Sequence, residues 1–185
     1  MFLRLEQLLI YESKEKLENL HWLMKIRKSK GKGTKNKSST GGVRYVYLRP
    51  FTKSFLRCIR RHYKIILFSY KESKTVEAIT ETINGMFEDD IFEAFVSLPS
   101  FDSNENECFD LKHFMNPKEG RIQHNWYVMD TWPMTWKINY LNALPITQFK
   151  GYEKDNTLFL WEKFIEWSLD SKEDLAAAIG DAFYD

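Results

Sequence analysis

The chain reads as an α/β domain, an open and mostly parallel sheet with helices on both faces. One pattern predicts this, and two further observations set its bounds. Short apolar runs of strand length, such as Ile65 to Phe68, alternate with amphipathic stretches of helical spacing. The 185 residues are 43% hydrophobic and 16% aromatic, enough to bury one core, so a single domain over residues 1–185 is expected. No apolar run approaches the roughly 20 residues that cross a bilayer, so no transmembrane segment is expected within the chain.

In chain order, "MFLRLEQLLIYES" alternates and then turns continuously apolar, as a buried strand does. "KEKLENLHWLMKI" spaces Leu17, Leu20, Leu23 and Met24 as a helix would. "RKSKGKGTKNKSSTGG" has nothing to bury and reads as a basic loop inserted at about 25–42. "VRYVYL" is a strand ended by Pro50, and "FTKSFLRCIRRHY" a helix with Phe51, Phe55, Leu56 and Ile59 on one face. "KIILFS" is a buried strand, and a helix from Lys74 to Asn84 stops at Gly85. "IFEAFVSL" and "WYVMD" are further strands. "NALPITQF" and a turn at Gly151 precede helices over Asn156–Leu169 and Ser171–Phe183, the latter capped by Asp170 or Ser171.

Charge is distributed unevenly. Between Asn19 and Lys71 there are fifteen Lys and Arg and no acidic residue, whereas the net charge of the whole chain is +1. Seven of the fifteen, Lys25, Arg27, Lys28, Lys30, Lys32, Lys35 and Lys37, fall within thirteen residues. Such a block seeks anions: RNA, anionic lipid headgroups or an acidic protein surface. No aromatic residue lies between Lys25 and Gly42, which argues against base stacking within the loop itself.

Other chemistries find little support. Cys58 and Cys108 cannot form a disulfide framework or a metal cage, and Cys58 falls among apolar helical residues as an inert buried thiol. His21, His62, His113 and His124 lack ligand spacing, and "GKGTKNKSSTGG" lacks the spacing of a phosphate-cradling loop.

The segment "YLRPFTKSFLRCIRRHYKIILFSYKESKTVEAI", with Arg49-Pro50 before a helix and a strand ending at Ser69, resembles the haloacid-dehalogenase-superfamily phosphatase domain. The type is that of the RNA polymerase C-terminal-domain phosphatases and nuclear-envelope-interacting-factor-like proteins. "WYVMDTWPMTWKINYLNALPITQFKG" is similar to that family's second acidic strand, and "DNTLFLWEKFIEWSLDSKEDLAAAIGDAF" to its closing helices. Within the group, "NALPI", the Gly turn and "KEDL" look most like the phosphatase-like receptor subunit of the mitochondrial presequence translocase. The resemblance implies a Rossmann-like sheet with its site at the carboxyl ends of the strands.

An active member needs Asp-x-Asp after the first strand, one nucleophile and one general acid, with a carboxylate-held Mg²⁺. Aligned on hydrophobic pattern, Arg4 takes the nucleophile position, Glu6 the general-acid position and Leu8 a hydroxyl position. Arginine is no carboxylate nucleophile and repels Mg²⁺, so no cofactor is expected. Ser69, Lys112 and Asp130 complete a vestigial site, in which Arg4 is expected to pair with Asp130 where a metal would sit. Trp132 and Trp136, read as a loop, would fill the cleft and anchor a partner. Trp126, Trp161 and Trp167 read as packing residues.

The expectation is therefore a catalytically inactive phosphatase-like subunit of a larger complex, placed in the mitochondrion, at the inner membrane or in the matrix, by resemblance alone. The resemblance begins within the first few residues, so no membrane anchor is expected ahead of it, which would suit an accessory subunit. Two other readings are an active magnesium-dependent phosphatase with a rearranged site and an RNA-binding component of a mitochondrial ribosome.

Overall fold

A computed structural model describes residues 1–27, 42–98, 109–114, 126–139, 142–171, 175 and 178. Five strands form one parallel sheet in the order β6-β5-β1-β7-β8: β1 Phe2–Arg4, β5 Ile65–Ser69, β6 Phe92–Ser97, β7 Val128–Asp130 and β8 Ala143–Pro145. A second, antiparallel sheet is ordered β2-β4-β3, from β2 Ile10–Ser13, β3 Trp22–Arg27 and β4 Val43–Leu48.

Alternation along the parallel strands sends side chains to two cores. Leu3, Ile65, Leu67, Met129 and Leu144 face the larger core. There they meet Phe55, Leu56 and Ile59 of α1 (Thr52–Arg60), Val76, Ile79 and Ile83 of α2 (Ser73–Asn84), and Leu158, Trp161 and Ile165 of α4 (Thr157–Ser171). Phe2, Phe68, Val128 and Ala143 face the other way, onto Phe109, Leu111, Trp126 and Trp136 of α3 (Pro133–Ile138). Helices thus cover both faces, as the sequence predicts. Phe68 and Phe109 stack with centroids 4.1 Å apart. Each such fully buried side chain contributes about 1.5–3 kcal/mol.

The structure corrects four local readings. The N-terminal segment is not one strand: Gln7 takes φ 61° and turns the chain, so β1 enters the parallel sheet and β2 the antiparallel one. The helix expected around Leu17 to Met24 is absent, because Trp22–Arg27 pairs with β4 and sends Leu23, Met24 and Ile26 onto the core. Strand pairing here overrides helical spacing. The basic insertion accordingly contributes Lys25 and Arg27 to a strand, while Lys28, Lys30, Lys32, Lys35 and Lys37 lie outside the described residues. Trp132 and Trp136 belong to α3, whose N-cap is Trp132 and whose first turn holds Pro133. Trp167, 52% exposed, packs at the edge as expected, its ring 5.8 Å from that of Phe164.

α4 runs through Asp170 and Ser171, so neither caps a following helix, and the Ser171 hydroxyl donates to Ser168 O. Of the expected last helix, only Leu175 and Ala178 are described, both helical and buried. Cys58 is buried as expected, and Cys108 lies outside the described residues. Among the described residues no helix is long and apolar enough to cross a membrane.

Candidate functional site

Parallel strands in register bring their carboxyl ends to one edge of the sheet, where ligand sites of open α/β folds lie. β1 is central, flanked by β5 and β7, with Arg4 opposite Phe68 in the register. Arg4, Ser69 and Asp130 are the last residues of these three strands. Their positions follow from strand length and pairing alone.

The four positions Arg4, Glu6, Ser69 and Asp130 form one bonded group. Arg4 Nη1 donates to Asp130 Oδ1 at 3.0 Å, the pairing expected from the sequence. The same Oδ1 accepts the backbone N–H of Thr131 at 2.6 Å and of Trp132 at 3.1 Å. Asp130 is fully buried, so these three donors stabilise its charge out of reach of solvent. Arg4 Nε lies 3.9 Å from Glu6 Oε2, and the Ser69 hydroxyl donates to Glu6 Oε1. The guanidinium also sits over the Tyr70 ring, 5.2 Å from its centroid. Three atoms of this group have no hydrogen-bond partner: Arg4 Nε, Glu6 Oε2 and Asp130 Oδ2.

Lys112 is not part of the group. It is exposed on the turn Leu111–Phe114, and none of the contacts above reaches it. Trp136 does reach the site: its indole N–H donates to Asp130 O at 2.7 Å, which ties α3 to the end of β7. Trp132 is 42% exposed beside it.

A carboxylate-held Mg²⁺ does not fit these residues. Such an ion needs oxygen ligands at about 2.0–2.1 Å in near-octahedral array. Here only Glu6 Oε2 and Asp130 Oδ2 are carboxylate oxygens without a hydrogen bond, and a fixed positive charge stands 3.0 Å from Asp130, where it opposes a divalent ion.

Sequence reasoning missed two ion pairs outside this group. Lys71 Nζ, just past β5, meets Glu12 Oε1 of β2 at 2.6 Å, joining the two sheets. Arg49 is 1% exposed and holds Asp155 through two nitrogens, at 3.0 and 2.9 Å, while Nη1 donates to Thr147 O and Leu8 O. The adjacent Arg-Pro was visible in the sequence, but nothing there pointed to Asp155 as its partner.

The fold has relatives of known structure. The fission yeast RNA polymerase II CTD phosphatase Fcp1 bound to beryllium fluoride superposes with a TM-score of 0.56 at 13% identity, covering 97% of this chain and 53% of that one. A second structure of Fcp1, described as an essential RNA polymerase II CTD phosphatase, gives 0.55 at 13% identity, with 97% and 51% covered. The chain thus spans about half the length of these phosphatases, and the likeness establishes a haloacid-dehalogenase-like fold. Among curated proteins no sequence relative matches. The family model described as NLI interacting factor-like phosphatase matches residues 1–176, and the chain accordingly belongs to that family.

Proposed function

We propose that this chain is a catalytically inactive member of its family that serves as a binding or structural subunit of a larger mitochondrial assembly. One observation carries the reading: the Arg4 guanidinium bonds Asp130 at 3.0 Å, at the sheet edge where the family's phosphatases work. An arginine there offers no nucleophilic carboxylate, and its charge opposes a divalent cation. Arg4 supplies the positive charge that Asp130 requires, so the buried carboxylate is retained for structure. Glu6, held by Ser69, has no reacting group to serve.

The exposed indole of Trp132, steadied by the bond from Trp136 to Asp130 O, is the anchor offered to a partner at this edge. The mitochondrial placement rests on likeness to the presequence-translocase receptor subunit.

The test is magnesium-dependent turnover of an aryl phosphate, beside co-purification from mitochondrial membranes and matrix. The expected result is no turnover and recovery with one large complex, reduced by Trp132→Ala. Turnover abolished by Asp130→Asn would overturn the reading.

A further inference from the structure

We propose that the outer face of the three-stranded sheet is a binding platform for single-stranded nucleic acid, with Trp22 and Tyr45 stacking on bases and Lys25 contacting phosphate. The basic stretch alone has no aromatic residue with which to stack. Folding supplies what the linear sequence withholds, because the strands on either side of that stretch bring aromatics to one face.

The register defines that face. Tyr45 of β4 lies between Ser13 of β2 and Lys25 of β3, and Tyr47 lies between Tyr11 and Trp22. Paired residues share a face, so Tyr11, Trp22, Lys25, Tyr45 and Tyr47 all project to the same side. Val46 and Met24 project to the other side, into the core. Tyr11 and Tyr47 form the floor. Tyr11 packs edge-on against Phe149, and Tyr47 is fully buried, its hydroxyl accepting the N–H of Leu17. Trp22 stands 50% exposed and Tyr45 half-buried, with Lys25 Nζ 5.2 Å from the Tyr45 ring centroid. Two accessible rings on neighbouring rows of one face, with a cation beside one of them, are the kind of sheet surface on which successive unpaired bases stack.

Charge selects the ligand. On this face Lys25 and Arg27 are basic, and the strand residues that share it, Tyr11, Ser13, Trp22, Val43, Tyr45 and Tyr47, include no carboxylate. Lys25 has no carboxylate within 4.0 Å among the described residues, while Glu12 of β2, paired with Val46 on the opposite face, is bound to Lys71. A duplex conceals its base faces and would leave both rings unused, so the strand must be single. This platform is separate from the Arg4–Asp130 edge, and its failure would leave the reading of that edge intact.

Fluorescence anisotropy of a labelled oligouridylate and an oligothymidylate, each about a dozen nucleotides long, tests the proposal. The intact chain should bind both, with affinity falling as salt rises, and RNA bound more tightly would assign the source. Trp22→Ala, at an exposed site that leaves the fold in place, should weaken binding about tenfold. Tyr45→Phe should bind as wild type. Lys25→Gln should lower the salt slope by about 0.7, one phosphate contact. Unchanged affinity in Trp22→Ala, equal binding of a matched duplex, or full competition by polyglutamate or by phosphatidylserine vesicles of equal charge would overturn it.

Discussion

Arg49 and Asp155, 106 positions apart, meet as a two-pronged ion pair inside the protein, Nε to Oδ1 at 3.0 Å and Nη2 to Oδ2 at 2.9 Å. The pair fixes the end of β4 to the loop that starts α4, and Asp155 Oδ1 also accepts the Thr157 N–H in the helix's first turn. With both carboxylate oxygens and three guanidinium nitrogens engaged, each partner is matched in geometry as well as charge. Asp155→Ala should cost about 3–5 kcal/mol, because it leaves a buried guanidinium unpaired. Arg49→Lys should cost nearly as much, since an ammonium cannot reproduce the fork. Urea unfolding of both variants checks this, and a cost below about 1 kcal/mol for Arg49→Lys would show that only charge matters.

The Arg4–Asp130 pair predicts an exchange of cations. In the wild type, Mg²⁺ should produce no thermal shift, because the Arg4 guanidinium, 3.0 Å from Asp130, already supplies the positive charge and repels a second cation. Arg4→Asp removes the fixed positive charge and adds a carboxylate beside Glu6 and Asp130, two groups that each carry an unsatisfied oxygen. That variant should be destabilised without metal by about 3 kcal/mol and restabilised by millimolar Mg²⁺. A magnesium-dependent shift of equal size in the wild type would remove the argument that Arg4 opposes a divalent ion.

Much of this edge was legible in the sequence, and the limits have physical causes. Arg4 and Asp130 could be paired in advance because parallel strands carry their ends to one edge, whatever the loops do. Lys112, expected in the site, lies outside the bonded group, since it follows a strand only at a distance and no pattern fixes a side chain on a turn. The stretch Trp22–Arg27 misled because Leu17, Leu20, Leu23 and Met24 repeat with helical spacing, yet its partner strand lies sixteen or more residues onward, beyond the reach of local periodicity. α3 was missed although Pro133 supplies a helix-start signal: six residues with two bulky indoles nearby carry too little periodicity to outweigh a loop.

The two tryptophans of α3 should behave differently. Trp136 packs in the second core and donates its indole N–H to Asp130 O, so Trp136→Ala should cost about 3 kcal/mol. Trp132 is an exposed N-cap without a side-chain capping bond, and Trp132→Ala should change stability by less than about 0.5 kcal/mol. Denaturant midpoints separate the two. If Trp132→Ala were as costly as Trp136→Ala, its indole would be a structural prop and no longer available as an anchor.

Gly151 sits under the Tyr11 ring and takes φ 80°, which an L side chain rarely adopts. A Cβ built there would lie 2.7 Å from Tyr11 Cδ1, so the position is constrained twice, by backbone and by contact. Gly151→Ala should therefore destabilise by about 2–3 kcal/mol. Tyr11→Leu opens the space but leaves the backbone strain of about 1 kcal/mol, so the double variant should recover only the difference. The cycle separates the two causes: full recovery would assign the whole cost to the ring, and none would assign it to φ.

Cys58 lies on the buried side of α1, 4% exposed. Burial pushes its thiol pKa above the ordinary value, and the nearby carboxylates of Glu166 and Glu162 push in the same direction. A raised pKa means less thiolate at any pH, so alkylation in the folded protein should stay slow from pH 7 to beyond the usual thiol range near 8.5. Unfolding in urea should restore an ordinary rate. Alkylation by iodoacetamide, followed by mass spectrometry of the peptide carrying Cys58, reads this against Cys108 in the same sample. Rapid modification of Cys58 at pH 7 without denaturant would mean that α1 opens readily, and the core built on Phe55, Leu56 and Ile59 would then be far less stable than its burial implies.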